Sequence, residues 1–320
     1  MPSSPSPPGR TVTAWALTTG EAGMRAQARG LAEAVADVVV EKTAPKGWPW
    51  PAATGARAAL GPPWPDVLIT CGRRSAPLSV TLRKASGGGV LTIHVQDPLT
   101  DPAQFDLVVA MEHDRIATGR QVIKVATALH DLTPAKLAAA GGAWRDRFAA
   151  LGRPLAGVLV GGTTRRDIFT REKGRRLIEA LQRLRAEAGA SLAITASRRT
   201  SPAIRRLLRE AFGTDPRVFL WDMAGENPYL AILALADRLV VTGDSVSMIS
   251  EALSTGRPVE IFDLGFAHHA PFLDRLEMRG LARRFVGEPA PPAAQPPVNA
   301  TLEAATAVRR LLQARTGWSG

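Results

Sequence analysis

Cysteine and tyrosine are all but missing from this chain: Cys71 and Tyr229 are its sole examples in 320 residues. A lone thiol excludes an internal disulfide framework and any multi-cysteine metal site. Cys71 ends the apolar run PDVLITC, which predicts a small buried hydrophobe there. A lone tyrosine excludes the nicotinamide-dependent sugar epimerase design, which needs a lysine one helical turn after its tyrosine. The residue four after Tyr229 is Leu233. That design also needs G-x-G-x-x-G behind the first strand, where this chain has TTGEAG with only Gly20 and Gly23.

Long apolar runs are absent as well, and no window approaches the ~20 residues of a spanning helix. The opening MPSSPSPPGR has neither the charged and apolar regions of a secretory signal nor the Arg-rich amphipathic character of a transit peptide. The expectation is a disordered tail over 1–10 on a soluble, cytoplasmic protein.

Acidic residues are in short supply. Lys and Arg number 40 against 29 Asp and Glu, a formal net charge of +11. Such a surface attracts nucleic acid, anionic lipid or phosphorylated small molecules. Most of the excess is Arg scattered through helical patterns such as RRLIEALQRLRAEA, and no run of five basic residues occurs. With no recognition helix or aromatic platform either, nucleic acid is not an expected partner.

What is present is an alternation of strand-like and helix-like segments. Strands are predicted at 11–18, 37–43, 65–72, 90–96, 106–111 and 121–129, with helices over 21–36, 75–86 and about 133–150. The pattern restarts at PLAGVLVGG (154–162), behind Gly152-Arg153-Pro154, and runs through four further strand–helix pairs to a helix near 270–279. Near-continuous apolar strands separated by helices imply parallel sheets covered on both faces. The fold class is therefore α/β, with two Rossmann-like doubly wound parallel-sheet domains, expected over 11–152 and 153–287 and facing across a cleft. EPAPPAAQPPVN (288–299) reads as a Pro-rich linker, and 300–316 as a final helix. The segment 44–65 places Trp48, Trp50 and Trp64 among prolines and glycines. It is either a loop folded over the first core or an amphipathic patch for an acceptor, a partner or peripheral contact at the inner membrane face.

Ligands of open α/β sheets bind beyond the carboxyl ends of the strands. In the second half the loops there are GGTTRR, SRRTS, GENP and TGDSVS, rich in residues that let a backbone approach phosphate or donate to it. The candidate donor-binding residues are Gly161, Gly162, Thr163, Arg165, Ser197, Arg198, Asn227, Gly243, Asp244, Ser245, Ser247 and Glu251. In the first half the loops carry carboxylates and a histidine, so Glu21, Asp97, His113 and Asp114 are candidate acid/base groups, with Thr19, Gly20, Gly72 and Arg73 on the acceptor side. Each of these carboxylates could equally be a turn or helix cap. No metal site is expected: Glu112 and Asp114 read as a solvated strand end, and His268-His269 lacks ligand-spaced partners and reads as structural.

ALTTGEAGMRAQARGLAEAV, HVQDPLTDPAQFDLVVAMEHD, GGTTRRDIFT, TASRRT and NPYLAILALADRLVVTGDSVSMISEAL together resemble the mitochondrial fission Elm-type family, in its bacterial form, from about residue 11 to 285. The second half is also similar to the nucleotide-sugar half of GT-B glycosyltransferases. That likeness implies diphosphate contacts from Gly161, Gly162, Thr163 and the Gly243–Ser247 turn, and a ribose contact from Glu251. Asp244 departs from the pattern, because a carboxylate there would repel an anion; it would instead cap the helix or hold a sugar hydroxyl. The implied activity is metal-independent transfer of a sugar from a nucleoside-diphosphate donor, a co-substrate rather than a bound cofactor, to an unknown acceptor. A same-fold nucleotide-sugar 2-epimerase and a non-enzymatic fission-type scaffold remain open beside it.

Overall fold

The structure, a computed structural model, describes residues 10–44, 60–221 and 223–316. The chain divides into one unit of residues 1–131 and 299–320 and a second of residues 132–298. In the first, parallel strands stand in the order β2-β1-β3-β4-β5-β6. They are β1 (Thr13–Thr18), β2 (Val38–Thr43), β3 (Val67–Cys71), β4 (Leu91–Val95), β5 (Leu107–Met111) and β6 (Val122–Val125). β3 and β4 are buried along their whole lengths, as central parallel strands covered on both faces must be. Helix α1 (Ala22–Val35) lays Ala28, Leu31, Ala32 and Val35 on one face of this sheet, and α2 (Ala76–Ala85) lies in the connection from β3 to β4. Cys71 is fully buried, and desolvation, followed by the Glu21 carboxylate, pushes its thiol well up, as befits a core residue.

The second sheet runs β12-β11-β10-β7-β8-β9, again with every pair parallel. Its strands are β7 (Leu155–Val160), β8 (Ser191–Ala196), β9 (Val218–Trp221), β10 (Arg238–Thr242), β11 (Val259–Phe262) and β12 (Arg283–Arg284). The helices are α3 (Pro134–Ala149), α4 (Arg171–Ala188), α5 (Pro202–Phe212), α6 (Tyr229–Leu235), α7 (Val246–Leu253) and α8 (Ala270–Met278). Side-chain caps start several of them: Thr133, Thr170, Ser201 and Ser245 each accept the backbone N–H three residues on.

Two segments pack differently from the expected division at 152/153. Helix α3 belongs with the second sheet: Trp144 and Phe148 cluster with Phe219 at ring-centroid distances of 5.5 Å, and Gly141 sits against Ala234 and Leu235 of α6. The unit boundary therefore precedes α3. The final helix, α9 (Ala300–Thr316), returns to the first unit, where Ala300, Ala304, Ala305, Val308 and Leu312 join the core beside α1. Its entry is fixed by Thr301 Oγ1, which accepts from the His130 amide at 2.9 Å and donates to the His130 carbonyl at 2.8 Å. Nor does the Pro-rich stretch run free, since the Val298 amide bonds Leu253 O at 3.1 Å and Gly256 packs on Pro297.

The first unit is thus completed by residues that follow the second. Truncation after Val298 uncovers the α1 face and removes Val308 and Leu312, worth about 1.5–3 kcal/mol each when fully buried. We expect the truncated protein to lose hydrogen-exchange protection in β1 and α1 first, with protection in β7 and β10 retained.

Of the tryptophan segment, Trp48 and Trp50 lie outside the described residues. Trp64 is half-buried, 6.1 Å from the ring of Trp15, in a cluster with Leu17, Leu68 and Leu78. Trp64 therefore serves the first core. Among the described residues no helix is long and apolar enough to cross a membrane.

Candidate functional site

All strands of the second sheet point the same way, so the loops after β7, β8, β10 and β11 emerge on one edge. Three residues at this edge are tied together by Asp244, whose side chain is fully buried. Its Oδ2 accepts the Gly162 amide at 2.8 Å and lies 3.0 Å from a guanidinium nitrogen of Arg199; its Oδ1 accepts the Thr242 hydroxyl at 2.6 Å. The Gly161 amide in turn donates to Thr242 Oγ1 at 2.7 Å. Burial raises the Asp244 pKa, while bonds from Thr242 and Gly162 and the charge of Arg199 work the other way.

This geometry redefines the two glycines. A Cβ on Gly161 would sit 2.1 Å from Asp244 Oδ2, and one on Gly162 would sit 1.9 Å from the Arg199 carbonyl. Both must be glycine because the chain's own loops crowd them, and both amides are engaged inside the protein. Asp244 does not cap α7. Ser245 does, accepting from the Met248 amide at 3.4 Å. Thr163 closes its own loop by accepting the Phe169 amide at 3.2 Å, and Ser197 forms a turn with Thr200. Asn227 accepts the Tyr229 amide at 3.0 Å. Arg165 and Arg198 are exposed.

Glu251 lies one turn beyond Ser247 on the same face of α7, since residues four apart align along a helix. Its carboxylate accepts the hydroxyl of Tyr229, and burial, partly opposed by that bond, pushes its pKa up to about 7. Tyr229 is pushed well above the usual phenol value, by burial first and then by Glu251.

Sequence reasoning overlooked another part of this edge. His268 Nδ1 lies 2.6 Å from Asp167 Oδ2, and the rings of His268 and His269 are 3.9 Å apart. His269 is held low, at about 4, by burial, then by His268 and Arg199, against the pull of Asp167 and a hydrogen bond with the Gly243 backbone. Asp167, Arg199, His268 and His269 therefore join the loops after β7, β8, β10 and β11. A histidine pair two residues behind an aromatic, just past a strand, was the one available signal, and metal-ligand spacing was the wrong template for it.

In the first unit, adjacency of β1 and β3 brings together the loops holding Thr19, Gly20, Glu21, Gly72, Arg73 and Arg74. Glu21 accepts the Thr19 hydroxyl and lies 3.8 Å from Arg74, while Arg73 is exposed. Gly20 and Gly72 have φ of +96° and +87°, and a Cβ on Gly72 would strike the Met24 sulfur at 2.4 Å. Asp97 accepts the Leu99 amide at 2.8 Å and Asp114 the Met111 amide at 2.8 Å, so each carboxylate closes its own turn. Asp114 is held further by Lys124, which donates to its carbonyl at 2.7 Å. His113 stands beside it on the turn after β5. No cluster of three His, Cys, Asp or Glu able to hold a metal occurs among the described residues.

Two six-stranded parallel sheets, each flanked by helices, define a two-domain Rossmann-like architecture of the GT-B class. It is shared with the UDP-GlcNAc 2-epimerase of Methanocaldococcus jannaschii, at a TM-score of 0.56 and 11% identity over 93% of this chain and 99% of that one. The glycotransferase of kitacinnamycin matches at 0.53 and 14%, over 95% and 96%. Within that class the chain belongs to the mitochondrial fission ELM1 family, whose model matches residues 22–312. The mitochondrial fission protein ELM1 of Arabidopsis thaliana is 34% identical over 283 residues, covering 80% of this chain and 65% of that protein. The chain thus spans about two thirds of that relative's length.

Proposed function

We propose that the second unit binds a nucleoside-diphosphate sugar and that the protein transfers the sugar, without metal, to an acceptor. The observation that carries this reading is the start of α7 at the carboxyl edge of a parallel sheet. Of its first-turn amides, Met248 is capped by Ser245 and those before it have no acceptor within the helix, and Ser247 and Glu251 share one of its faces. Phosphate suits the helix start, and a ribose hydroxyl suits the Glu251 carboxylate. Arg165 and Arg198, exposed on neighbouring loops, supply positive charge for the departing diphosphate. The solved M. jannaschii epimerase carries UDP-GlcNAc and UDP on the same fold, at a TM-score of 0.54, which supports this class of ligand.

In the first unit, Glu21, Asp97, His113 and Asp114 are the proposed bases for an acceptor hydroxyl, and Asp97 and Asp114 also accept amides of their own turns. A 2-epimerase is the second reading. It is favoured by the order Asp244-Ser245, Glu251-Ala252 and Gly256-Arg257-Pro258-Val259, an acidic-serine turn followed by E-A and G-x-P-V. Release of free nucleotide in the presence of acceptor marks transfer, and an altered sugar on intact nucleotide marks epimerisation. Absence of any thermal shift with nucleotides and their sugars would instead favour a scaffold, because a ligand at 100 times its Kd stabilises by about 2.7 kcal/mol.

Glu251→Gln tests the site with two opposed effects. The Glu251 pKa is about 7 in the fold against an ordinary 4.5. A raised carboxyl contributes stability below its unfolded pKa and loses it as pH rises through the folded one. The wild type therefore carries a penalty approaching about 3 kcal/mol by pH 8, and glutamine, which still accepts from Tyr229, carries none. We expect Glu251→Gln to unfold at a higher temperature than wild type at pH 8 and to match it near pH 4. Its affinity for nucleoside-diphosphate sugars should fall about tenfold or more, the value of a hydrogen bond to a charged group.

A further inference from the structure

We infer that the groove between α3 and α6 binds a single-chain anionic amphiphile of the fatty-acid type, with the alkyl chain on its floor and the carboxylate between Arg145 and Arg257. The inference goes beyond the nucleoside-diphosphate reading and does not depend on it. The groove lies within the second unit and encloses about 280 Å³. It is bordered by Leu235, at the end of α6, and by Thr255 and Arg257, which precede β11. Those segments lead into β10 and β11. The groove therefore stands at the amino edge of the sheet, opposite the edge that carries Asp244 and the start of α7.

Its floor is apolar, formed by Leu137, Ala138 and Gly142 of α3 and by Leu235. Two glycines in succession are disfavoured inside a helix, and the packing of α3 accounts for just one of them. A Cβ on Gly141 would lie 3.3 Å from the Ala234 Cβ, so that glycine lets α3 and α6 approach each other. Gly142 lines the groove, and a Cβ there would meet nothing within 4 Å. The room it leaves is open to a ligand and is used by no neighbouring side chain.

The charged residues that line the groove are both arginines. Arg145 and Arg257 are exposed, and neither forms an ion pair among the described residues. Arg257 is anchored beside the floor by donating to Ala234 O at 3.2 Å. Nearby charges are already engaged: Asp237 takes Arg153 at 2.8 Å, and Arg147 lies 4.1 Å over the ring of Trp144. A guanidinium presents parallel N–H groups to a carboxylate, which suits a head group held at the rim. Burial of the chain then adds affinity in proportion to its apolar area. Ligand pockets run to about 300–1,000 Å³, so this groove suits one alkyl chain and is small for a nucleotide sugar or a two-chain lipid.

The test is titration calorimetry of the full chain with decanoate, decanol and butyrate at pH 8, beside co-sedimentation with phosphatidylglycerol vesicles. Decanoate should bind at one per chain, decanol about tenfold more weakly or worse, and butyrate not measurably. Arg145→Gln combined with Arg257→Gln should remove the preference for decanoate over decanol. Gly142→Leu fills the groove and replaces a poor helix former with a good one. It should abolish decanoate binding, unfold no earlier than wild type, and leave binding of nucleoside-diphosphate sugars unchanged. If leucine disturbs the fold, Gly142→Ala decides, and it should weaken decanoate binding with no loss of stability. Decanoate that fails to bind overturns the inference. Decanoate that binds at several per chain, or equally well to the filled groove, marks adsorption to the basic surface and overturns it too. Equal affinity for decanol removes the role of the arginines and has the same effect. Binding to the vesicles without binding to decanoate marks a membrane-facing surface and likewise overturns it. None of these outcomes bears on the nucleotide reading, which is decided by its own probes.

Discussion

Glu260→Ala is expected to destabilise the second unit by about 3–5 kcal/mol, the cost of removing one partner from a buried ion pair. Glu260 is fully buried on β11 and serves two arginines. One oxygen accepts from Arg238 Nε at 2.8 Å, and the other accepts from a terminal nitrogen of Arg283 at 2.7 Å. Arg238 is itself only 3% exposed, so alanine leaves a guanidinium buried without its counter-charge. The same arginines hold the Pro-rich return: Arg238 donates to Glu288 O and Pro289 O at 3.2 and 2.9 Å, and Arg283 to Ala290 O at 2.8 Å. Loss of Glu260 should therefore loosen 288–290 as well as β10 and β11. Because the chain has two units, the measurement is hydrogen exchange in denaturant at second-unit amides rather than a single melting curve. The paired replacement Arg238→Met with Glu260→Met should cost less than Glu260→Ala alone, since no charge is stranded. If the pair costs as much, desolvated charge is not what the single variant measures.

The strand–helix alternation and the parallel sheets were legible because central strands and amphipathic helices carry their burial in their sequence periods. What those periods do not carry is which sheet a helix covers. Trp144 and Phe148 mark one face of α3 as buried, but only the fold puts that face on Phe219 and α6. The same holds for α9, whose partner α1 lies at the opposite end of the sequence. At the candidate site, turn residues past strand ends identified the loops after β7, β8 and β10. The roles within them were less legible. Gly161 and Gly162 read as room for a ligand, whereas their neighbours are Asp244 and the Arg199 carbonyl. Asp167 and His268 come from loops far apart in the chain, and no local pattern announces the pair. In the first unit, the alternative of a turn for each carboxylate describes what Asp97 and Asp114 do.

Asp244 was the conspicuous departure from a phosphate-binding pattern, and its variants separate two explanations for it. If the carboxylate is a clamp for the loops after β7, β8 and β10, Asp244→Ala strands the buried Gly162 amide and leaves the Thr242 hydroxyl only the long contact to Leu159 O. Each unsatisfied group costs about 1–3 kcal/mol, so about 3 kcal/mol in total is expected, and Arg199, 42% exposed, escapes to solvent. Asp244→Asn should be far milder. The asparagine carbonyl oxygen can replace Oδ2 toward Gly162 and Arg199. The side-chain amide can donate to Thr242 Oγ1 once that hydroxyl turns to Leu159 O, 3.5 Å away. This substitution thereby keeps the loops in register while deleting a negative charge beside the site. Binding of nucleoside-diphosphate sugars should accordingly weaken at least tenfold in Asp244→Ala and hold or tighten in Asp244→Asn, read by calorimetry at pH 7. Had the carboxylate acted only by repelling anions, both variants would bind more tightly, and the alanine variant would do so with no loss of stability. A weaker alanine variant beside a competent asparagine one identifies Asp244 as the residue that holds the loops in place, with its charge the cost of that geometry.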